Sequence, residues 1–461
     1  MFMQVELIKN IFRAYDIRGI VDKEVTNDLA LSIGKAYGSF LIKNNKKTIG
    51  VSGDVRLSTE SLLDYLTQGL LSTGINVISF NKLPTPISYY SLHNDNLNVD
   101  AAIQITGSHN PSNYNGFKLT YDAKPFYGDD IQLLYNMIFN EDYIQSKGTF
   151  RSYDIISDYT QMIESKIKIK NRLKVAIDCG NAAGCIVAPH LYEKFNIDLY
   201  KLYCDIDGNF PNHHPDPTVD ANLVDLQNFV IKNKCDVGIA FDGDADRIVA
   251  VDENGAIIRS DILISIFLSK IIKDGDSVVY DVKCSKALED MIKKFNGNPV
   301  MWKTGHSLIK NKMKQERAKI GGEMSGHIFF ADDYFGYDDA IYVGLRLIEL
   351  LSNQNKKLSE IISEVPKYFS TPELRFDCKD DQEKIDIMNR VFDYFSSKYS
   401  FSDIDGIRLS LDDGWALIRC SNTQPVIVCR IEASTKNLLD KYEKMVIEKL
   451  LSFGVKTNEH I

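Results

Sequence analysis

The 461-residue sequence lacks any C-x-x-C pair, any block of like charge and any long apolar run. Without paired spacing, its eight cysteines (Cys179, Cys185, Cys204, Cys235, Cys284, Cys378, Cys420 and Cys429) give no zinc-ribbon or thioredoxin-like signature. Most lie in strand-like apolar runs and read as reduced, buried thiols. A membrane span needs roughly 18 to 20 apolar residues. The longest candidate, Ile262 to Leu268, is short and interrupted by Ser265. Met1 to Asn10 carries Glu6 and Lys9 where a secretory leader has a basic stretch, an apolar core and a small-residue cleavage site, so a cytoplasmic location is expected. Low-complexity linkers are also missing.

What is present is ordinary globular composition, 44% apolar and 25% charged, which excludes disordered and collagen-like chains. At roughly 150 residues per domain the length allows about three domains. With 54 basic against 63 acidic residues the net charge is −9, a field that opposes nucleic acid and other polyanions. An anionic ligand therefore needs a local basic cluster.

Three stretches follow one plan, in which strands alternate with amphipathic helices and the third strand ends in a polar, Gly-containing loop. The first copy has strands at Thr48 to Val51, Asn76 to Phe80 and Ala101 to Ile105, a helix at Ser58 to Ser72, and the loop TGSHNP. In the second the strands are Val175 to Ile177, Asp198 to Tyr203 and Val237 to Phe241, and the loop is DGDADR. The third has Val278 to Tyr280, Pro299 to Trp302, Lys319 to Ile320 and the loop GGEMSGH. Such alternation implies parallel sheets flanked by helices, with ligands beyond the carboxyl ends of the strands. After about Pro366 the pattern becomes antiparallel: strands at Gly406 to Leu411, Trp415 to Cys420 and Val426 to Glu432 precede a helix at Asn437 to Ser452. The expected architecture is α/β: three similar mixed, mainly parallel domains (1–150, 151–255, 256–367) and a smaller antiparallel α+β domain (368–461), around a central cleft.

The loops carry the chemistry. Ser108 sits in a tight turn between Gly107 and Pro111, with His109 and Lys118 close in sequence. Turn serines are common, but this geometry projects a hydroxyl from a strand end. Asp242, Asp244 and Asp246 are three carboxylates at alternate positions. They cannot all stay ionised comfortably without a cation, and all-oxygen ligands suit magnesium. An EF-hand is excluded because Arg247 stands where the sharp turn needs Gly and strands replace the flanking helices. An aspartyl-phosphate enzyme would need D-x-D-x-[TV], and the fifth residue here is Asp246. Glu323, Ser325 and His327 offer a carboxylate, a hydroxyl and an imidazole suited to a polyol, and His306 is a nearby proton carrier. Arg419 and Arg430 are the local basic cluster, two guanidiniums that suit a phosphate or a surface ion pair, and they flank a turn in which Ser421, Asn422 and Thr423 offer hydroxyls, an amide and backbone N–H groups.

Read together, YDIRG at Tyr15 to Gly19, TGSHNP at Thr106 to Pro111, DGDADR at Asp242 to Arg247, GEMSGH at Gly322 to His327 and RCSNTQP at Arg419 to Pro425 make the chain similar to the α-D-phosphohexomutases. It most resembles the bacterial phosphomannomutase/phosphoglucomutase branch, along essentially its whole length. The resemblance implies a phosphoserine at Ser108 that donates its phosphoryl group to a hexose phosphate, forming a hexose 1,6-bisphosphate that turns and returns its other phosphate. The net reaction interconverts hexose 1-phosphate and hexose 6-phosphate, with mannose or glucose as the sugar.

By the same resemblance magnesium is held by Asp242, Asp244, Asp246 and a phosphoserine oxygen on Ser108. Arg18, Arg247, His109 and Lys118 add charge or proton handling around the nucleophile. Glu323 and Ser325 hold the sugar hydroxyls, while Arg419, Ser421, Asn422, Thr423 and Arg430 grip the non-reacting phosphate. Tyr15, Lys283, His306 and His327 face substrate, and His306 is the preferred acid/base helper. The expected partner is a small hexose phosphate, with neither nucleic acid nor membrane, and the chain is expected to be a monomer or weak dimer. Gln424 departs from the Glu frequent in relatives. Phosphoglucosamine mutase is the neighbouring alternative, disfavoured because its loops usually read GEQSGH and SGTEP. A non-catalytic sugar-phosphate or divalent-ion binding protein is the alternative of a different class.

Overall fold

Strands buried on both faces read as continuous apolar runs, whereas strands with one wet face alternate. The central strands of this chain are of the first kind. The computed structural model describes residues 9–421 and 425–455, in two compact units: the chain up to Ser260 with Ser325–Ile362, and Asp261–Met324 with the chain from Ser363 onward.

The first unit contains two mixed sheets. Strands β1 (Ile17–Ile20), β2 (Thr48–Gly53), β3 (Asn76–Lys82), β4 (Ala101–Ile105), β5 (Tyr114–Tyr121), β6 (Lys124–Pro125) and β7 (Phe150–Ser152) assemble in the order β1-β5-β4-β2-β3-β7, with β6 on β5. The run β4-β2-β3-β7 is parallel, and β5 lies antiparallel to both β4 and β1. The second sheet comprises β8 (Leu173–Asp178), β9 (Ile197–Leu202), β10 (Val237–Phe241), β11 (Ile248–Asp252) and β12 (Ile257–Ile258), ordered β12-β11-β10-β8-β9. Here β10, β8 and β9 are parallel and β11 returns antiparallel on β10. Two of the three polar loops are thus not ordinary parallel-sheet crossovers. TGSHNP joins β4 to antiparallel β5, and DGDADR joins β10 to antiparallel β11, with Phe241 paired to Ile248 at its root. Each loop is held at both ends by one ladder, which fixes its shape more tightly than a strand-to-helix connection would.

In the second unit β13 (Ser277–Asp281), β14 (Asn298–Trp302) and β15 (Ile320–Gly322) run parallel. The expected strand at Lys319 to Ile320 begins and ends later because Gly321 and Gly322 continue the ladder opposite Val279 and Tyr280. The short strand β16 (Ile328–Phe330) follows in the first unit. The terminal region forms the antiparallel sheet β17 (Phe369–Ser370), β18 (Leu374–Asp377), β19 (Phe401–Ser402), β20 (Ile407–Leu411), β21 (Gly414–Cys420) and β22 (Val426–Ala433), in the order β17-β22-β21-β20-β19 with β18 also on β22. Helices Asp381–Ser396 and Lys436–Ser452 cover it, packing Ile387, Val391, Phe395, Val446 and Leu450 against Ile418, Ile427 and Ile431. The chain therefore has three α/β domains and a smaller α+β domain, as the sequence pattern predicts. No described helix is long and apolar enough to cross a membrane. All eight cysteines are free thiols, with Cys204 and Cys420 partly exposed and the other six buried.

Helix Asn27–Lys43, capped by Thr26 Oγ1 accepting from Leu29 N at 3.2 Å, crosses helix Thr59–Leu71 at backbone contact. A Cβ at Gly69 would lie 2.2 Å from the Leu31 carbonyl, and one at Gly34 would lie 2.3 Å from the Leu66 carbonyl. Overpacking of this kind costs about 1 to 3 kcal/mol. Gly69→Val is expected to destabilise the first unit by about that amount, read as an earlier urea transition, and an unchanged midpoint would refute the backbone contact.

Candidate functional site

The DGDADR turn is built by its own first aspartate. Asp242 Oδ1 accepts from Asp246 N and Arg247 N, both at 3.1 Å, so this oxygen closes the turn and leaves Oδ2 for partners on other segments. Ser108 Oγ donates to that oxygen at 3.2 Å and lies 3.2 Å from His109 Nδ1. Ser108 itself has φ +50°, a left-handed conformation that residues with a side chain adopt rarely. The two loops touch closely enough that a Cβ on Gly243 would fall 2.2 Å from the Ser108 carbonyl, which explains the glycine of the motif.

All three aspartates are fully buried. Lys118, on β5, bridges two of them, with Nζ 2.7 Å from Asp244 Oδ2 and 2.5 Å from Asp246 Oδ2. Thr85 Oγ1 donates to the same Asp244 oxygen at 2.5 Å. Burial works to lower the Lys118 pKa, but Asp244 and Asp246 override it and hold the ammonium protonated well above its ordinary value. Burial, Asp246 and Asp244 push Asp242 well up. For Asp246 burial acts in the same upward sense, yet Lys118, His327 and Arg247 prevail and hold it well below the carboxylate range. Burial and the nearby Arg247 and Arg18 guanidiniums keep the His109 imidazole well below its usual pKa and so neutral.

His327 Nε2 lies 3.2 Å from Asp246 Oδ1, 3.7 Å from Asp338 Oδ2 and 3.3 Å from Arg247 Nε. The histidine expected to face substrate is thus set among the carboxylates. Arg18 is anchored by Asp16 at 2.5 Å, and Arg247 Nε stands 3.9 Å from Asp242 Oδ2. Tyr15 is half-buried just ahead of β1, and Ser325 is half-buried in the turn before β16.

The cluster fits a hard divalent cation such as magnesium. Ligand atoms of Asp242, Asp244 and Asp246 all lie within 4.8 Å of one another. Asp244 Oδ1 is buried with no hydrogen-bond donor, a costly state that a cation relieves. Asp246, His327 and Asp338 form a second, overlapping group of the same compactness.

In the second unit the predicted residues also converge. Gly305 N donates to Glu323 Oε1 at 2.6 Å, so the expected sugar-binding carboxylate also braces the turn that opens helix His306–Glu316. Asp405 Oδ2 accepts from Thr304 N and pairs with Arg419 Nη2, both at 3.1 Å. Arg430 Nη1 donates to the Lys283 carbonyl at 2.6 Å, and Lys283 Nζ is 3.4 Å from Glu373. Burial would raise Glu373, but Lys283 and Arg375 hold it below its ordinary value. Burial raises Asp281, with Lys283 opposing and Glu323 adding to the rise; its carboxylate ties Thr304 and Met324 together. Ser421 is buried, its carbonyl held by Lys384 Nζ at 3.1 Å. Asn422, Thr423 and Gln424 lie outside the described residues.

Sequence profiles for phosphoglucomutase/phosphomannomutase alpha/beta/alpha domains I, II and III match residues 9–145, 157–255 and 259–369, and the profile for the C-terminal domain matches 373–449. The chain belongs to the phosphoglucomutase/phosphomannomutase family. A phosphomannomutase/phosphoglucomutase of Pseudomonas aeruginosa is 39% identical over 443 residues, covering 96% of this chain and 95% of the relative. A phosphoglucomutase of Neisseria meningitidis is 37% identical over 455 residues, covering 96% and 97%. The solved structure of a phosphoglucomutase/phosphomannomutase family protein from Burkholderia thailandensis superposes with a TM-score of 0.90 at 37% identity, over 97% of this chain and 99% of that one.

One residue of this mutase escaped the sequence reading. Arg56 is completely buried and donates to four carbonyls of the Ser108 loop: Nη2 to Ser108 at 2.8 Å and Asn110 at 2.6 Å, Nη1 to Pro111 at 2.5 Å and Tyr114 at 3.0 Å. Its Nε pairs with Asp54 Oδ2 at 3.1 Å, and the same oxygen accepts from Gly107 N and Thr106 Oγ1. The signal was available in D-V-R directly after β2, but an arginine ahead of a predicted helix reads as surface charge. Arg56→Lys cannot span four carbonyls with one ammonium. It is expected to lower kcat for hexose-phosphate isomerisation by about tenfold or more while KM stays within about twofold. A KM change alone would contradict a positioning role.

Proposed function

We propose that this mutase works through a phosphoryl group carried on Ser108 Oγ and transferred to mannose or glucose phosphates. The observation that carries the reading is the 3.2 Å contact between Ser108 Oγ and Asp242 Oδ2, in a turn held left-handed beside three buried carboxylates. In the forward half-reaction the bond from phosphorus to Ser108 Oγ breaks as a bond to the sugar hydroxyl forms, and the hydroxyl proton leaves to a base. The hexose 1,6-bisphosphate then presents its other phosphate, which returns to Ser108.

Magnesium, held by Asp242, Asp244, Asp246 and Ser108, would neutralise charge on the transferring group when bound. The chain's own groups do the rest. Arg18, Arg247 and Lys118 supply fixed positive charge, and Lys118 acts as charge rather than as a proton carrier because Asp244 and Asp246 hold it protonated. His109 stands 3.2 Å from Ser108 Oγ as a neutral imidazole, because burial, Arg247 and Arg18 disfavour its charged form. Glu323 and Ser325 bind the sugar hydroxyls, Arg419, Ser421 and Arg430 bind the non-reacting phosphate, Tyr15 and Lys283 contact substrate, and His306 serves as acid/base helper. A grip on hydroxyls that are alike in either orientation lets one site accept the sugar both ways round.

Incubation with mannose 1-phosphate or glucose 1-phosphate, magnesium and a trace of labelled hexose 1,6-bisphosphate is expected to yield the 6-phosphate and to leave label on Ser108. Ser108→Ala is expected to take no label and to fall below about one-thousandth of normal kcat. Inorganic phosphate as the main product would refute the mutase reading, and preferential turnover of glucosamine phosphate would move the chain to the neighbouring subfamily. Chelation by EDTA is expected to stop turnover and added magnesium to restore it. Asp244→Asn is expected to raise the magnesium concentration giving half-maximal rate about tenfold or more, and an unchanged requirement would remove this residue from the cation's ligands.

A further inference from the structure

Parallel neighbours β8 and β9 end side by side, with Asp178 paired to Leu202 in the ladder. Just beyond those ends stand two cysteines that the mutase chemistry does not use. Cys179 N donates to the Leu202 carbonyl at 3.2 Å, and Cys204 Sγ lies 3.2 Å from Cys179 Sγ. Adjacent strands run about 4.7 to 4.9 Å apart, and disulfides span Cα separations of about 4.4 to 6.8 Å, so two sulfurs already in contact here need only a small closing movement. Cys179 is wholly buried, whereas Cys204 is one of the two partly exposed thiols of the chain. Cys179 also meets the buried Cys185, and burial holds its thiol well up, so the partly exposed Cys204 is the thiol placed to meet an oxidant and Cys179 the one placed to resolve it.

The pair also touches the catalytic turn. Cys179 opens the segment 179–183, closed by Ala182 N on the Cys179 carbonyl at 2.9 Å, and Ala183 N donates to the Gly243 carbonyl at 3.1 Å. Gly243 is the residue packed against the Ser108 carbonyl.

We propose that Cys204 and Cys179 form a reversible disulfide when the protein meets a hydroperoxide, and that the closed form turns over more slowly. In the first step the Cys204 thiolate attacks a peroxide oxygen. The O–O bond breaks, one oxygen remains as the sulfenic acid and the other leaves as water after taking the thiol proton. In the second step the Cys179 sulfur attacks the Cys204 sulfur, the S–O bond breaks, and a second water leaves with the remaining proton. Two thiols and one hydrogen peroxide become one disulfide and two waters; a dithiol reverses it. Drawing the sulfurs from 3.2 Å to the bonded distance of about 2.05 Å shifts the 179–183 segment under Gly243.

The test uses the full-length, reduced protein treated with hydrogen peroxide, and its mass readout does not depend on the phosphoserine reading. Non-reducing peptide mapping is expected to find the Cys179 and Cys204 peptides joined with loss of two hydrogens. Turnover of glucose 1-phosphate is expected to fall about tenfold and to recover with dithiothreitol. Cys204→Ser is expected to keep basal activity and lose both the link and the peroxide response. Cys179→Ser is expected to leave Cys204 as a sulfenic acid that dimedone captures, which keeps the test decisive should the other variant fail to fold. A link formed only through Cys185 or Cys420, a Cys179–Cys204 link without loss of turnover, or full sensitivity in Cys204→Ser would each overturn the proposal.

Discussion

Three carboxylates are buried together on one turn of the first unit, and the polar side chains around them are arranged to meet that constraint. Like charges this close raise one another's pKa and resist desolvation, so the turn exists only because specific partners absorb the repulsion. Lys118 spans Asp244 and Asp246, His327 and Arg247 close on Asp246 and Asp242, and Asp242 spends one oxygen on the backbone of its own turn. The division is uneven: Asp246 is held ionised while Asp242 is pushed up. A site divided this way has room for one more positive charge, and the donor-free oxygen of Asp244 marks where it is wanted.

The serine loop depends on the same logic with the sign reversed. A fully buried guanidinium would be intolerable alone, but Arg56 distributes its donors over Asp54 and four loop carbonyls. Each partner leaves the other with unsatisfied groups if removed, so the loop and its brace form as one unit. The second unit repeats the device at lower stakes, with Asp405 and Asp281 tying the turn at Thr304 to the Arg419 strand and to Met324.

Much of this was legible in the sequence. Strands Ala101 to Ile105 and Val237 to Phe241 have the bounds their apolar runs predict, because fully buried strands leave no ambiguity of face. The loops were legible as chemistry only when taken together, since a solvated acidic turn or a surface ion pair explains each one alone, but not all of them in order. Their geometry was not. That β5 and β11 return antiparallel follows from pairing partners chosen in three dimensions, and local pattern carries no record of them. Arg56 was invisible for a related reason: its partners are backbone carbonyls, which every residue has, so no sequence position announces them. Glu323 was legible as a carboxylate suited to a polyol but not as a brace for Gly305, a contact between segments 18 positions apart.

The left-handed twist at Ser108 restricts which hydroxyl-bearing residues this turn can hold. Threonine carries the same hydroxyl and can bear the same phosphate, yet its branched Cβ is strongly disfavoured at positive φ. Asparagine, aspartate and glycine tolerate the conformation and have no hydroxyl. Backbone shape thus favours serine over threonine at this position, and that choice is made before any substrate arrives.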